Sequence, residues 1–108
     1  MPDKLALPPD QIREMGRAAL ERVVAYYETL ASRPVVVPST SQAIRAQLDE
    51  PLPRDGADFT TLLDTFDQVI AQFSRHNGHP RFFGYVSSPG TPVTAVGSML
   101  AGSLNASR

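Results

Sequence analysis

The sequence contains no cysteine and only one lysine, Lys4. Without cysteine the chain has no disulfide, thiol nucleophile or thiolate metal ligand. The two signs of charge are nearly balanced, with ten Lys and Arg against eleven Asp and Glu, and no basic run marks a nucleic-acid site. No apolar stretch approaches the ~20 residues that a membrane span needs, and the start of the chain lacks the apolar core of a secretory signal. We therefore expect a soluble, cytoplasmic protein without nucleic-acid or membrane partners.

Length and proline content limit the architecture. The 108 residues fit one small domain or one part of a larger domain. Ten prolines are too many for one long helical bundle, so the chain should consist of short segments joined by rigid turns.

Hydrophobic periodicity predicts three helices before residue 76. The first covers residues 10–31, where two adjacent apolar stripes make a face wide enough to need a large partner. An extended connector at 33–38 follows, because its prolines disfavour helix and its three valines are β-prone. The capping-box spacing of residues 39–42 then opens a short helix that Pro51 stops. A third, aromatic-rich helix runs from Asp58 to about Arg75.

The segment 75–92 differs in composition and contains both histidines of the chain. The spacing of His76 and His79 would suit a metal only on a helix, and Gly78 argues against one, so we expect no zinc site. Residues 82–86 are β-prone. Arg81 is either an anion contact or a solvated surface arginine.

A fourth helix is predicted to begin at Thr91-Pro92, with Thr91 as the N-cap and proline at the first helical position. The serine-rich turn before it, around Ser88, offers hydroxyls and backbone N–H groups that suit an anion. Ordinary helix capping accounts for the same residues.

The run His79-Pro-Arg-Phe-Phe-Gly-Tyr-Val86, followed by Ser87-Ser88-Pro89 and a small-residue helix ending Ser103-Leu104-Asn105-Ala106, resembles the group II pyridoxal-phosphate (PLP) dependent amino acid decarboxylases. The resemblance extends back through the three earlier helices in the order that the family has. Family members are several times longer, so the chain resembles their N-terminal part.

The resemblance implies a mainly α segment, with three or four helices and one short extended segment, of an α/β enzyme of fold type I. Residues 1–78 would be a helical dimerisation segment, with the homodimer formed through residues 10–31. Residues 79–108 would begin the active-site lining and lead to the large PLP domain.

The same resemblance implies an amino acid substrate and names three site residues. Tyr85 and Val86 match substrate-pocket positions, and Ser88 matches a hydroxyl on the phosphate side of PLP. The pair Gly84-Tyr85 is more similar to the aromatic amino acid branch of the family than to the glutamate branch. This favours an aromatic substrate.

Catalysis in this family needs a lysine that binds PLP covalently and a carboxylate facing its ring nitrogen. Lys4 lies ahead of the first helix, where nothing in the sequence would desolvate it, and residues 75–108 contain no Asp or Glu. We therefore expect no catalytic residue in this chain, no retained PLP and no activity of the chain alone. Two alternatives stay open: a self-standing helical dimerisation or interaction module, and a family variant with different chemistry, such as an aldehyde-forming enzyme.

Overall fold

The computed structural model describes residues 6–84 and 88–105, and it is helical, with no strand among those residues. Helix α1 is Pro9–Thr29 and continues as a 3₁₀ turn, Leu30–Ser32. Helix α2 is Ser41–Leu48. Helix α3 is Phe59–Thr65 and passes into a π-helical segment, Phe66–Ala71. Helix α4 is Pro92–Leu104. The prediction of four helices is confirmed. Phe82–Gly84, the described part of the β-prone run, forms no strand.

The ends of α1 follow from its sequence. Pro9 occupies the first helical turn, where its missing N–H is not needed. Asp10 in the same turn accepts a hydrogen bond from Arg13 at 2.8 Å and places negative charge near the positive end of the helix dipole. At the other end Arg33 is extended, with φ −79° and ψ 154°, because a residue that precedes proline avoids the helical region.

The N-cap of α2 is Thr40, one residue later than the predicted capping box. Its Oγ1 accepts the Ala43 N–H at 3.1 Å. The helix ends at Leu48, three residues before Pro51, with the Asp49 N–H donating to the Arg45 carbonyl at 2.8 Å. The short helix was therefore predicted correctly, and its cap was displaced by one residue.

The π-helical segment changes which side chains of the third helix are buried. The α-helical spacing predicts that one apolar stripe is buried, comprising Phe59, Leu62, Phe66, Val69 or Ile70, and Phe73. Leu62, Phe66 and Ile70 are 54%, 48% and 50% exposed. Since a π turn bonds i to i+5, it holds more residues than an α turn and rotates the later side chains around the axis. The buried apolar residues among those described are Val69 and Ala71. The predicted stripe is therefore confirmed at Val69, whereas Leu62 and Phe66 are more exposed than it predicts.

An ion-pair network joins α1 to the third helix. The Arg22 guanidinium donates to Asp64 at 2.8 Å and also to Asp67. Both carboxylates hold the pKa of Arg22 above its usual value, mainly through these hydrogen bonds. The arginine therefore fixes how the two helices lie against each other.

Helix α4 is the most exposed element. Thr91 Oγ1 accepts the Thr94 N–H at 3.2 Å, as the sequence predicts, and Asn105 ends the helix in the left-handed conformation with φ 42°. Val93 is 82% exposed and Leu104 is 77% exposed. No helix in residues 6–84 or 88–105 is long and apolar enough to cross a membrane.

The chain buries little apolar surface for its size. Its accessible surface is 9427 Å², whereas a compact monomer of 11.7 kDa would expose roughly 5,900 Å². The radius of gyration is 16.6 Å, against about 13 Å for a compact chain of this length. The fold therefore lacks a full core of its own.

Candidate functional site

Both histidines are buried, and they anchor the segment that follows the third helix. His76 is 4% exposed and His79 is 6% exposed. The backbone N–H of His76 donates to the Val35 carbonyl at 3.0 Å. The hydroxyl of Tyr26, on α1, lies 2.8 Å from His76 Nδ1. His76 therefore joins α1, the 33–38 connector and the start of the 75–92 segment.

The hydrogen bonds of His79 fix the position of its proton. Its Nε2 lies 2.6 Å from the Arg33 carbonyl oxygen, which can only accept. Its Nδ1 accepts the backbone N–H of Arg81 at 3.0 Å, and this N–H can only donate. His79 is therefore the neutral tautomer with its proton on Nε2. Protonating Nδ1 would set two donors against each other.

Burial favours the neutral forms of His76 and Tyr26. Burial lowers the pKa of the His76 imidazole, and the Arg33 guanidinium and His79 lower it further. Burial raises the pKa of the Tyr26 hydroxyl, although Arg33 acts in the opposite direction. The Arg33 Cζ lies 5.2 Å from the centre of the Tyr26 ring. We call Tyr26, Arg33, His76 and His79 the histidine cluster.

The histidine cluster packs next to the turn that precedes α4. A Cβ on Gly78 would lie 3.3 Å from Leu30 Cδ2 and 3.3 Å from Pro89 Cβ. Both approaches are tighter than an ordinary van der Waals contact, so the absence of a side chain lets the three segments meet. The turn containing Ser88 is thereby held close to the end of α1.

The cluster is a structural site, and the sequence did not predict it. His79 matched a family motif without an assigned role, and its two hydrogen bonds now supply one. No group of three or more metal-ligating side chains occurs in the described part of the chain. The signal for this site in the sequence was Gly78 between the two histidines, because glycine disfavours a helix and suits a turn.

The predicted site residues are only partly within the described chain. Tyr85, Val86 and Lys4 lie outside the described residues. Ser88 is exposed at the turn before α4. The Arg81 side chain is also exposed, and its backbone N–H is taken by His79.

The Thr91 side chain caps the start of α4, three residues after Ser88. Thr91 Oγ1 accepts the Thr94 N–H and also lies 2.7 Å from the Thr94 hydroxyl. This geometry supports ordinary capping over anion binding for Thr91.

An apolar groove lies between α1 and α4, with a volume of about 310 Å³. Glu28 is the one charged residue that lines it. The apolar lining from α1 comprises Ala19, Leu20, Val23, Val24 and Tyr27, and that from α4 comprises Pro92, Ala95, Val96 and Met99. The groove uses the second stripe predicted for α1, with Leu20 45% and Val24 38% exposed.

Comparison with known proteins confirms the resemblance to group II decarboxylases. The chain is 29% identical over 105 residues to the aromatic-L-amino-acid decarboxylase of Bacillus atrophaeus, covering 97% of this chain and 22% of that protein. It is 26% identical over 95 residues to the 3,4-dihydroxyphenylacetaldehyde synthase of Aedes aegypti, covering 88% of this chain and 18% of that protein. No family model matches the chain.

The fold is also found in solved structures. The crystal structure of Oryza sativa TDC with PLP and tryptamine superposes with a TM-score of 0.81 at 21% identity, over 92% of this chain and 20% of that one. The helices described above therefore have the fold of one part of that protein. The chain spans about a fifth of the length of the relatives that it matches.

Proposed function

We propose that this chain is the N-terminal part of a PLP-dependent L-amino acid decarboxylase of the aromatic amino acid type, and that it is inactive alone. The observation that carries the proposal is the match of 97% of the chain to an aromatic-L-amino-acid decarboxylase. The shared fold with Oryza sativa TDC supports it. The complete enzyme would have the α/β architecture of fold type I.

The residues present do not suffice to hold PLP. A carboxylate for the ring nitrogen is missing from residues 75–108, and the one lysine of the chain precedes α1. Ser88, exposed beside the start of α4, could contribute a hydroxyl on the phosphate side of the cofactor. When bound in the complete enzyme, PLP supplies the electron sink for loss of the substrate carboxylate. This chain would contribute part of the wall of the active site around PLP.

The same proposal gives the two parts of the chain different roles. Residues 1–78 would form the helical dimerisation segment, and residues 79–108 would begin the active-site lining. Tyr85 and Val86 would contact the amino acid substrate. The position of Gly78 between Leu30 and Pro89 supports this arrangement, because it ties the start of the second part to the end of α1.

We propose further that the complete protein is a cytoplasmic homodimer assembled through residues 10–31. The exposed surface exceeds that of a compact monomer by roughly 3,500 Å², which is more than a standard interface buries. The groove between α1 and α4 is nearly free of charge, as the centre of a permanent interface is. A second subunit and the rest of the same subunit would cover these faces.

The test of the decarboxylase proposal uses two polypeptides, this chain and a longer product that continues beyond Arg108. Each is incubated with PLP, freed of excess cofactor and examined for the visible absorbance of protein-bound PLP. We expect absorbance and carbon dioxide release from L-tryptophan, L-tyrosine or L-phenylalanine only with the longer product. A stop codon directly after Arg108, together with a cooperatively folding, cofactor-free chain, would instead establish a self-standing interaction module.

A second candidate is an aldehyde-forming enzyme on the same fold. It is favoured by the similarity to the 3,4-dihydroxyphenylacetaldehyde synthase of Aedes aegypti. The two candidates differ in product. A decarboxylase releases an amine and carbon dioxide, whereas an aldehyde synthase also consumes dioxygen and water and releases an aldehyde, carbon dioxide, ammonia and hydrogen peroxide. Chromatography of the longer product's reaction mixture separates them. An amine without ammonia supports the decarboxylase, and stoichiometric ammonia supports the synthase.

The dimer proposal is tested at Val24, which lines the groove and is 38% exposed. Val24→Glu should weaken self-association of the longer product in sedimentation, because it buries an unpaired charge in an apolar interface. The matched control is Glu21→Gln, on an exposed part of the same helix. Equal sedimentation of the Val24→Glu variant and the unaltered protein would remove this face from the interface.

A further inference from the structure

The histidine cluster holds together segments that share no helix hydrogen bonds. Residues 76–82 are attached to the 33–35 connector by the His76 N–H to the Val35 carbonyl, at 3.0 Å, and by His79 Nε2 to the Arg33 carbonyl, at 2.6 Å. Within the segment, the Arg81 N–H depends on His79 Nδ1 as its acceptor. Imidazole nitrogens therefore take part in two of these three attachments.

The attachments made by His79 require a neutral ring. Its two partners are a backbone carbonyl and a backbone N–H, and only an imidazole with one donor and one acceptor satisfies both. A proton added at Nδ1 leaves the Arg81 N–H without its acceptor and faces it with a second donor. No rotation of a partner can repair this, because backbone groups cannot exchange donor and acceptor roles.

No ion pair among the described residues places a carboxylate beside either histidine. Facing His76 are the Tyr26 hydroxyl from α1 and the Arg33 guanidinium from the connector. On the cluster's own segment, the Arg75 guanidinium lies 5.6 Å from the Phe82 ring centre. An imidazolium at His76 would be buried beside the Arg33 guanidinium.

We propose that the histidine cluster is a proton-operated switch, which holds residues 76–82 against the 33–35 connector while both imidazoles are neutral and releases them in mild acid. The switch belongs to this chain's fold and does not depend on the proposed decarboxylase function. Its test needs neither PLP nor substrate.

The direction of the pH effect follows from the two states. In the released segment the pKa of His76 returns to the ordinary value of 6.5, whereas burial lowers the pKa of His76 in the attached segment. The released state therefore binds more protons below about pH 6.5. Attachment is complete above that pH and is lost as the pH falls below it.

The experiment is NMR on the ¹⁵N-labelled chain, which contains two histidines and thus two imidazole spin systems. At about pH 7.5 the His79 ring should show the Nε2–H tautomer. Between about pH 7.5 and about pH 5.5, the hydrogen-exchange protection factor of the Arg81 amide should fall by about tenfold or more, because its hydrogen bond to the His79 ring is lost. Amides in the middle of α1 should keep their protection.

The matched variant is H76N/H79N, in which neither side chain titrates in this range. Asparagine at position 79 can still accept the N–H two residues on, as it does in turns, so the Arg81 amide should have the same protection at both pH values. The proposal is overturned by unchanged Arg81 protection in the unaltered chain or by simultaneous loss in α1, which would mean global unfolding. If the variant does not fold, the unaltered chain decides.

Discussion

Replacing Tyr26 with phenylalanine tests the contribution of the Tyr26 hydroxyl to the fold. The change removes one oxygen and keeps the ring. It therefore retains the edge-to-face packing on Tyr27, with ring centres 5.8 Å apart, and the contact of the Arg33 guanidinium with the face of the ring. What is lost is the 2.8 Å hydrogen bond to His76 Nδ1. The variant therefore isolates one polar contact.

The expected cost is set by the burial of His76. A neutral hydrogen bond contributes about 0.5–1.5 kcal/mol net, and a buried partner left unsatisfied costs about 1–3 kcal/mol. His76 is 4% exposed, so water cannot readily replace the hydroxyl, while Tyr26 itself is half-buried. We expect the free energy of unfolding to fall by about 1–2 kcal/mol, which lowers Tm by roughly 4–8 °C for each kcal/mol in a chain of this size.

The assay is urea or thermal unfolding followed by circular dichroism at about pH 7.5, where an ordinary histidine is neutral. The matched control is Tyr27→Phe, because Tyr27 is also half-buried on α1 and its hydroxyl has no hydrogen-bond partner among the described residues. In a double-mutant cycle with His76→Phe, the coupling energy should be about 1 kcal/mol. If Tyr26→Phe costs no more than Tyr27→Phe, the hydroxyl makes no net contribution and the reasoning fails.

Three further changes have expected outcomes by the same unfolding assay. Gly78→Ala should destabilise by about 1–3 kcal/mol through overpacking, whereas Gly56→Ala, with open space around the new Cβ, should be neutral or slightly stabilising; equal effects would contradict the close packing. Thr91→Ala should cost about 1 kcal/mol as a lost N-cap, and Thr91→Ser should restore most of it; no difference between them would exclude capping by the hydroxyl. Because burial lowers the pKa of His76, stability should decrease as the pH falls below about 6.5, and this slope should be smaller in His76→Phe; an identical slope would assign it to other groups.

The helices and their boundaries are local properties, and the sequence was sufficient to predict them. Pro9 and Thr91-Pro92 begin α1 and α4 by rules that involve only neighbouring residues. Arg33-Pro34 ends the first helical region in the same way. The family resemblance is similarly a property of a contiguous run, residues 79–86 with the helix that follows, and comparison with known proteins confirms it.

The side chains that are buried depend on distant residues, and only the tertiary structure decided them. The π-helical segment after Thr65 rotates the apolar stripe, and the Arg22 contacts to Asp64 and Asp67 join positions more than forty residues apart. No periodicity in a single helix reports such contacts.

The same division explains the histidine cluster. The sequence places Gly78 between His76 and His79 and so predicted correctly that the two histidines do not lie on a helix. It could not show that Tyr26, fifty residues earlier, and the carbonyl of Arg33 would supply their partners. A hydrogen bond requires that its two heavy atoms lie within about 3 Å of each other. These atoms come together only in the folded chain, where the end of α1 and the connector after it pack against the segment that begins at residue 76.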